Sequence, residues 1–225
     1  MSDRVPPPAW VTENHRLWLC VWRARFILRG DDVPSKQADL LFATSSLGGE
    51  VAELIEAIQS RAARMRDQGR VEFYADTDGL KEEARELSGE AADCAIYAAI
   101  AGCLIGLPGE AVQEEDDDGD GDYPAPSGLE AMLACGRLQN AAKKLFRDGG
   151  WTEKLDLADC VGWLRTVVAF ASGAARFDGD DLASAVGRKW LELRGRPNFA
   201  RAFELYDDPS WTEERLAARP GAPGA

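Results

Sequence analysis

Apolar residues recur at three- and four-residue spacing along most of this chain, the pattern of one helix face set against a core. Val11 to Leu28 carries Leu17, Val21 and Ile27, with Trp18, Trp22 and Phe26 each four residues apart, and Thr12 or Asn14 stands ready as its N-cap. A turn over Gly30 to Ser35 follows, and Ser35 then caps a long helix predicted from about Lys36 to Gln68. Its core stripe includes Leu54, Ile55 and Ile58. A connector over Gly69 to Asp78 leads to a second long helix, about Gly79 to Ile105, which Gly106-Leu107-Pro108-Gly109 should stop. Asp180 or Asp181 caps a further helix with Leu182, Val186, Trp190 and Leu193 on one side. The prediction is an all-α bundle.

The polar positions change this picture where acids crowd the margin of an apolar face. Glu50 and Glu53 lie together on the first long helix, and Glu86, Glu90 and Asp93 lie together on the second. Carboxylates so placed repel one another unless a cation sits between them, and hard divalent cations take such oxygen donors. Two solvated acidic helix faces are the plainer alternative. Gly48-Gly49 precedes the first pair at a cost of about 1 kcal/mol per glycine in a helix. Close packing of a neighbouring backbone, or a kink leaving room for a ligand, would justify it. Arg61, Arg64 and Arg66 follow on the same helix and read as a solvated basic end favoured by the helix dipole, with phosphate contact as the alternative.

The pattern then repeats. Arg137 and Asn140 follow Glu50 and Glu53 at one constant offset, within Gly136 to Leu145. Asp156 and Asp159 follow Glu90 and Asp93 at a second constant offset, within Asp156 to Trp163. This is the mark of a duplicated helical hairpin. In the second copy Arg137 and Asn140 replace the first acidic pair, and Lys143 and Lys144 enter beside them. Arg137 at a ligand position should repel a cation, but Arg137, Asn140, Lys143 and Lys144 suit a phosphate tail. The expected architecture is a tandem pseudo-dimer in which the second hairpin offers cations across a cleft to the first. Simple coverage of an exposed face by these basic residues is the alternative.

Composition sets bounds on function. The chain has 225 residues, 45% of them hydrophobic, and a net charge of −13. That charge argues against nucleic acid and against an anionic membrane surface as partners. The longest apolar run, Cys94 to Leu107, falls short of the ~20 residues a bilayer span takes. The opening Met1 to Pro6 is polar and Pro-rich, unlike a secretory signal. Five cysteines form no Cys-x-x-Cys pair and read as reduced core residues of a cytoplasmic protein. A single histidine, His15, leaves no credible Ser/His/Asp or Cys/His arrangement, and no phosphate-cradling Gly-x-x-x-x-Gly-Lys run occurs. Asn14, His15 and Trp18 near the first helix start are weak candidates for contacts to a nucleobase, the aromatics being otherwise core. The expected organisation is a lead-in over 1–10, a first half over 11–106, an acidic flexible linker over 107–127, a second half over 128–205 and a tail over 206–225. Asp116, Asp118, Asp120 and Gly121 in that linker partly imitate a calcium loop, but Ser127 stands where its bidentate Glu belongs, and the charge run reads as disordered.

The two acidic stretches, Gly49-Glu50-Val51-Ala52-Glu53 and Glu90-Ala91-Ala92-Asp93, resemble the MazG-like all-α nucleoside triphosphate pyrophosphohydrolases, a group that includes dimeric dUTPase-like enzymes. That family's motif is Glu-Glu-x-x-Glu followed by Glu-x-x-Asp. Gly49 stands here in place of the first Glu, and the stretch between the halves is longer than usual. The resemblance spans roughly 36–205 and is strongest over 47–105. It implies hydrolysis of a nucleoside triphosphate to monophosphate and pyrophosphate. Glu50, Glu53, Glu90 and Asp93 would hold Mg²⁺ or Mn²⁺, and Glu53, Glu56 or Glu86 would accept the proton of the attacking water. The segment from Lys189 through Arg196 to Asn198 resembles the family's basic C-terminal helix and tail, which approach the phosphates. A small-molecule nucleotide would be the partner, bound by a monomeric pseudo-dimer or a homodimer. A catalytically inactive helical interaction protein of the same fold is the alternative.

Overall fold

A computed structural model of the chain describes residues 35–67, 81–107, 126–148 and 156–207. They form helices α1 (Lys36–Asp67), α2 (Lys81–Leu104), α3 (Gly128–Asp148), α4 (Leu157–Phe177), α5 (Leu182–Gly195) and α6 (Pro197–Asp207). No strand occurs among the described residues, and the chain is an all-α bundle. The first predicted helix with Asn14, His15 and Trp18, the 69–78 connector, most of the acidic linker and the tail beyond Asp207 lie outside the described residues.

Local chemistry sets the helix ends. Ser35 caps α1 by accepting from the Ala38 N–H at 3.2 Å. Ser127 and Glu130 form a reciprocal capping box at the start of α3: Ser127 Oγ accepts from the Glu130 N–H, and Glu130 accepts from the Ser127 N–H at 2.7 Å. Asp156 caps α4, and Asp181, rather than Asp180, caps α5. After α4 the chain turns through Gly179 at φ +68, and the Asp180 N–H reaches back to the Ala175 carbonyl at 3.1 Å. α5 stops at Gly195, and Pro197 opens α6, where its missing N–H costs nothing. α6 is held against α5 by Arg194, which stacks over the Phe203 ring and donates to both Asp207 carboxylate oxygens at 2.9 and 3.0 Å.

The first four helices pack as two hairpins. α1 packs on α2, and α3 on α4. The two pairs then meet like to like, α1 on α3 and α2 on α4. Equivalent positions share the core: Val51 with Leu138, Cys94 with Cys160, and Ala98 with Leu164 are all buried. α3 begins so close to α1 that a Cβ on Gly128 would lie 2.8 Å from Ile55 Cγ1, so only glycine fits. The window Leu87–Leu104 of α2 is long and apolar enough to cross a membrane by length and composition, but 72% of it is buried. It is the central helix, packed by α1, α4 and α5.

Arg61 departs from the sequence expectation. It is buried, not a solvated basic end, and it pairs with Asp178 in the α4–α5 turn. The Asp178 carboxylate also accepts from the Ser88 N–H at 2.9 Å and from Ser88 Oγ at 3.1 Å. Three helices are thus tied through one carboxylate. The helix dipole acts only over the last turn and is weaker than a buried partner. Gly48 and Gly49 also resolve: a Cβ on either would meet nothing within 4 Å, so close packing is not their reason.

Candidate functional site

α1 and α2 pack with Val51 and Leu54 of one helix and Ala91, Ala95 and Ala98 of the other in the common core. That register leaves Glu50 and Glu53 of α1 on the margin facing Glu90 of α2. One carboxylate oxygen from each of the three lies within 4.8 Å of the others. Glu50 and Glu90 are half-buried and Glu53 is exposed, so the cluster opens to solvent on one side.

The electrostatics follow from that geometry. Burial first, then the charges of Asp93, Glu53 and Glu90, push the Glu50 carboxyl up to about 7, against the pull of Lys189. Asp93, one turn beyond Glu90, is not part of the three-carboxylate group. It forms an ion pair with the Lys189 ammonium of α5. Burial raises Asp93 above the ordinary aspartate value, and Lys189 works against the rise. Burial acts to lower Lys189, but the charge and hydrogen bond of Asp93, helped by Glu192 and Glu90, outweigh it and hold the ammonium above its usual value. Cys94, buried behind the acids, has its thiol pushed well up by burial and by Glu50, which makes it inert as a nucleophile.

Of the four ligands expected from sequence, the structure gathers Glu50, Glu53 and Glu90, with Asp93 adjacent and held by Lys189. Glu56 is exposed one turn along α1. The side chains of Glu86 and Asn198 lie outside the described residues. Arg196, just past the end of α5, pairs with Glu192 of that helix, and Glu192 is held below the ordinary carboxylate value by that hydrogen bond. Arg137, Asn140 and Lys144 line a separate recess of about 350 Å³ between α3 and α4, together with Asp156, Asp159 and Trp163. Lys143 is exposed and does not line it. Among the described residues the cation that reaches Glu50 is therefore Lys189 of α5, not Arg137, Lys143 or Lys144. Sequence reasoning missed the Lys189–Asp93 pair. Lys189 follows Val186 on the packed side of α5, and that spacing was the available signal.

Three carboxylates converging from two helices form a hard-oxygen donor set, the kind a divalent cation takes. No protein-family model, no curated protein and no solved structure matches the chain.

The strain among the acids has a measurable consequence. Glu50 titrates near 4.5 when unfolded and at about 7 in the fold, so the folded state holds a proton that the unfolded state has lost between those values. Its contribution to stability is therefore fullest below about pH 4.5 and is lost as pH rises through about 7. With divalent ions chelated, the Glu50→Gln protein should exceed the parent by about 1–2 kcal/mol at pH 8 and match it near pH 5. Urea unfolding at the two pH values reads this directly. Equal pH slopes for the two proteins would rule out the raised Glu50 carboxyl.

Proposed function

We propose that the chain is a divalent-metal-dependent nucleoside triphosphate pyrophosphohydrolase, releasing the monophosphate and pyrophosphate. The observation that carries this reading is the approach of Glu50, Glu53 and Glu90 oxygens to within 4.8 Å of one another, with Asp93 one turn away. The sequence resemblance to the MazG-like hydrolases falls on these same four residues. Bound Mg²⁺ or Mn²⁺ would neutralise phosphate charge and acidify an attacking water. Glu50, Glu53 and Glu90 are the residues to hold it, with Asp93 as the further donor. Exposed Glu53, or Glu56 one turn on, accepts the proton from that water. Lys189 keeps a positive charge at the margin where the substrate's phosphates arrive. The half-buried Glu50, protonated in part at neutral pH, gives up its proton when a cation is taken.

The test is a pyrophosphate-release screen of the purified chain on the eight common nucleoside triphosphates, with Mg²⁺ and with chelator. Turnover of at least one substrate, lost on chelation, is the expected result. No turnover on any of the eight would sink the reading.

One observation favours a second reading, a helical interaction protein without catalysis. The Lys189 ammonium already neutralises Asp93, doing within the chain what a second cation does in a loaded site. Absence of turnover, with no change in stability on adding Mg²⁺, is the result that reading expects.

A further inference from the structure

The α3–α4 recess is a second candidate binding site, distinct from the acidic cluster. None of Glu50, Glu53, Glu90 or Asp93 lines it. Its floor is apolar, with Cys160 and Leu145 buried and Trp163 half-buried. The α3 wall carries Arg137, Asn140 and Lys144, with Asp148 at the helix end paired to Arg147, and the α4 wall carries Asp156 and Asp159. Both cations of the recess therefore stand on α3, and two of its three aspartates stand across from them at the start of α4. Among the described residues Arg137 and Lys144 make no ion pair, although Asp148, Asp156 and Asp159 line the same recess. Asp156 is already engaged, its Oδ1 accepting from the Ala158 and Asp159 N–H groups at 3.0 and 3.2 Å as the cap of α4. The recess of about 350 Å³ lies at the lower end of the range for small-ligand sites.

The geometry points to a nucleoside monophosphate as the ligand of this recess. The guanidinium of Arg137 and the ammonium of Lys144 supply two positive charges, which match the two negative charges of a monophosphate. Asn140 adds a neutral amide donor on the same wall. Trp163 offers an aromatic surface to a base. Asp159 and the remaining oxygen of Asp156 are acceptors, suited to sugar hydroxyls or to a base amino group. A triphosphate would bring more negative charge than the two cations balance. The duplication explains the inversion. Arg137 and Asn140 occupy the positions of Glu50 and Glu53, while Asp156 and Asp159 keep the carboxylates of the second helix. The repeat has exchanged one wall of an acidic cleft for a basic one, turning a cation-binding arrangement toward an anion. This assignment does not depend on the catalytic reading of the first repeat.

Isothermal titration of AMP, GMP, CMP and UMP into the full chain, with divalent ions chelated, tests it. At least one nucleotide should bind saturably in the sub-millimolar range. Arg137→Ala and Lys144→Ala, both at exposed positions, should each weaken binding about tenfold or more with the fold intact by circular dichroism. Glu50→Gln should leave this binding within twofold. No saturable binding of any of the four would overturn the proposal. So would inorganic phosphate binding as tightly as the nucleotides, or loss of binding on Glu50→Gln with Arg137→Ala silent.

Discussion

Asp178→Ala should lower the unfolding free energy by about 3–5 kcal/mol, the largest single loss expected from any polar residue described in this fold. The reason is the company Asp178 keeps. Its side chain is 1% exposed, and it is the partner of Arg61, whose side chain is 9% exposed. Removing the carboxylate strands a guanidinium that is mostly withdrawn from water. It also takes the acceptor from the Ser88 N–H and hydroxyl, which reach it from α2. Burial leaves the Asp178 carboxyl above the ordinary aspartate value despite those donors, so the pair carries a desolvation cost that only its completeness offsets. Asp178→Asn keeps an acceptor for Ser88 and should cost less than Asp178→Ala. Adding Arg61→Met to Asp178→Asn should recover much of that loss, because the stranded charge is gone. Urea denaturation of the three proteins gives these differences. A penalty below about 1 kcal/mol for Asp178→Ala would mean that Arg61 finds water or another acceptor.

That network marks a limit on what the sequence alone could yield. The helices were readable because apolar spacing is a local property. Ser35, Asp181 and the Gly106 stop were readable because caps act within a few residues. The repeated spacing was readable too: Arg137 and Asn140 keep the spacing of Glu50 and Glu53, and the helices that carry them, α1 and α3, pack on each other. Three of the four acids converge because a helix face and its neighbour are set by the same apolar stripe. What spacing does not encode is which distant charge meets which. Asp178 sits in a run that reads as a turn, Phe177-Asp178-Gly179-Asp180, and nothing there names Arg61. Lys189 could be read as a phosphate contact, and only the packing of α5 against α2 brings it to Asp93. The recess between α3 and α4 is likewise a tertiary product. Its cations were readable as a group, but their distance from the first repeat's acids was not.

On the proposed pyrophosphohydrolase reading, Glu53→Gln and Asp93→Asn should each reduce pyrophosphate release at least 100-fold, with the fold retained. Both changes keep size, replace one acceptor oxygen by an amide donor and remove one negative charge. Glu53 is exposed and belongs to the three-carboxylate group, so its loss removes a ligand and a proton acceptor together at little structural cost. Asp93 differs, because its removal also releases Lys189 from its pair. A moderate loss of stability should therefore accompany Asp93→Asn but not Glu53→Gln. This difference separates catalysis from structure. If the acids only solvate a helix face, Glu53→Gln leaves turnover within a few-fold, and relief of repulsion is its only effect. If they hold a cation, Glu53→Gln abolishes turnover and also removes the stabilisation that Mg²⁺ gives the parent protein. Thermal melts with and without Mg²⁺, run beside the release assay, read both consequences in one protein. Retained turnover in Glu53→Gln, or a Mg²⁺-dependent shift in melting temperature equal to the parent's, would take Glu53 out of the site.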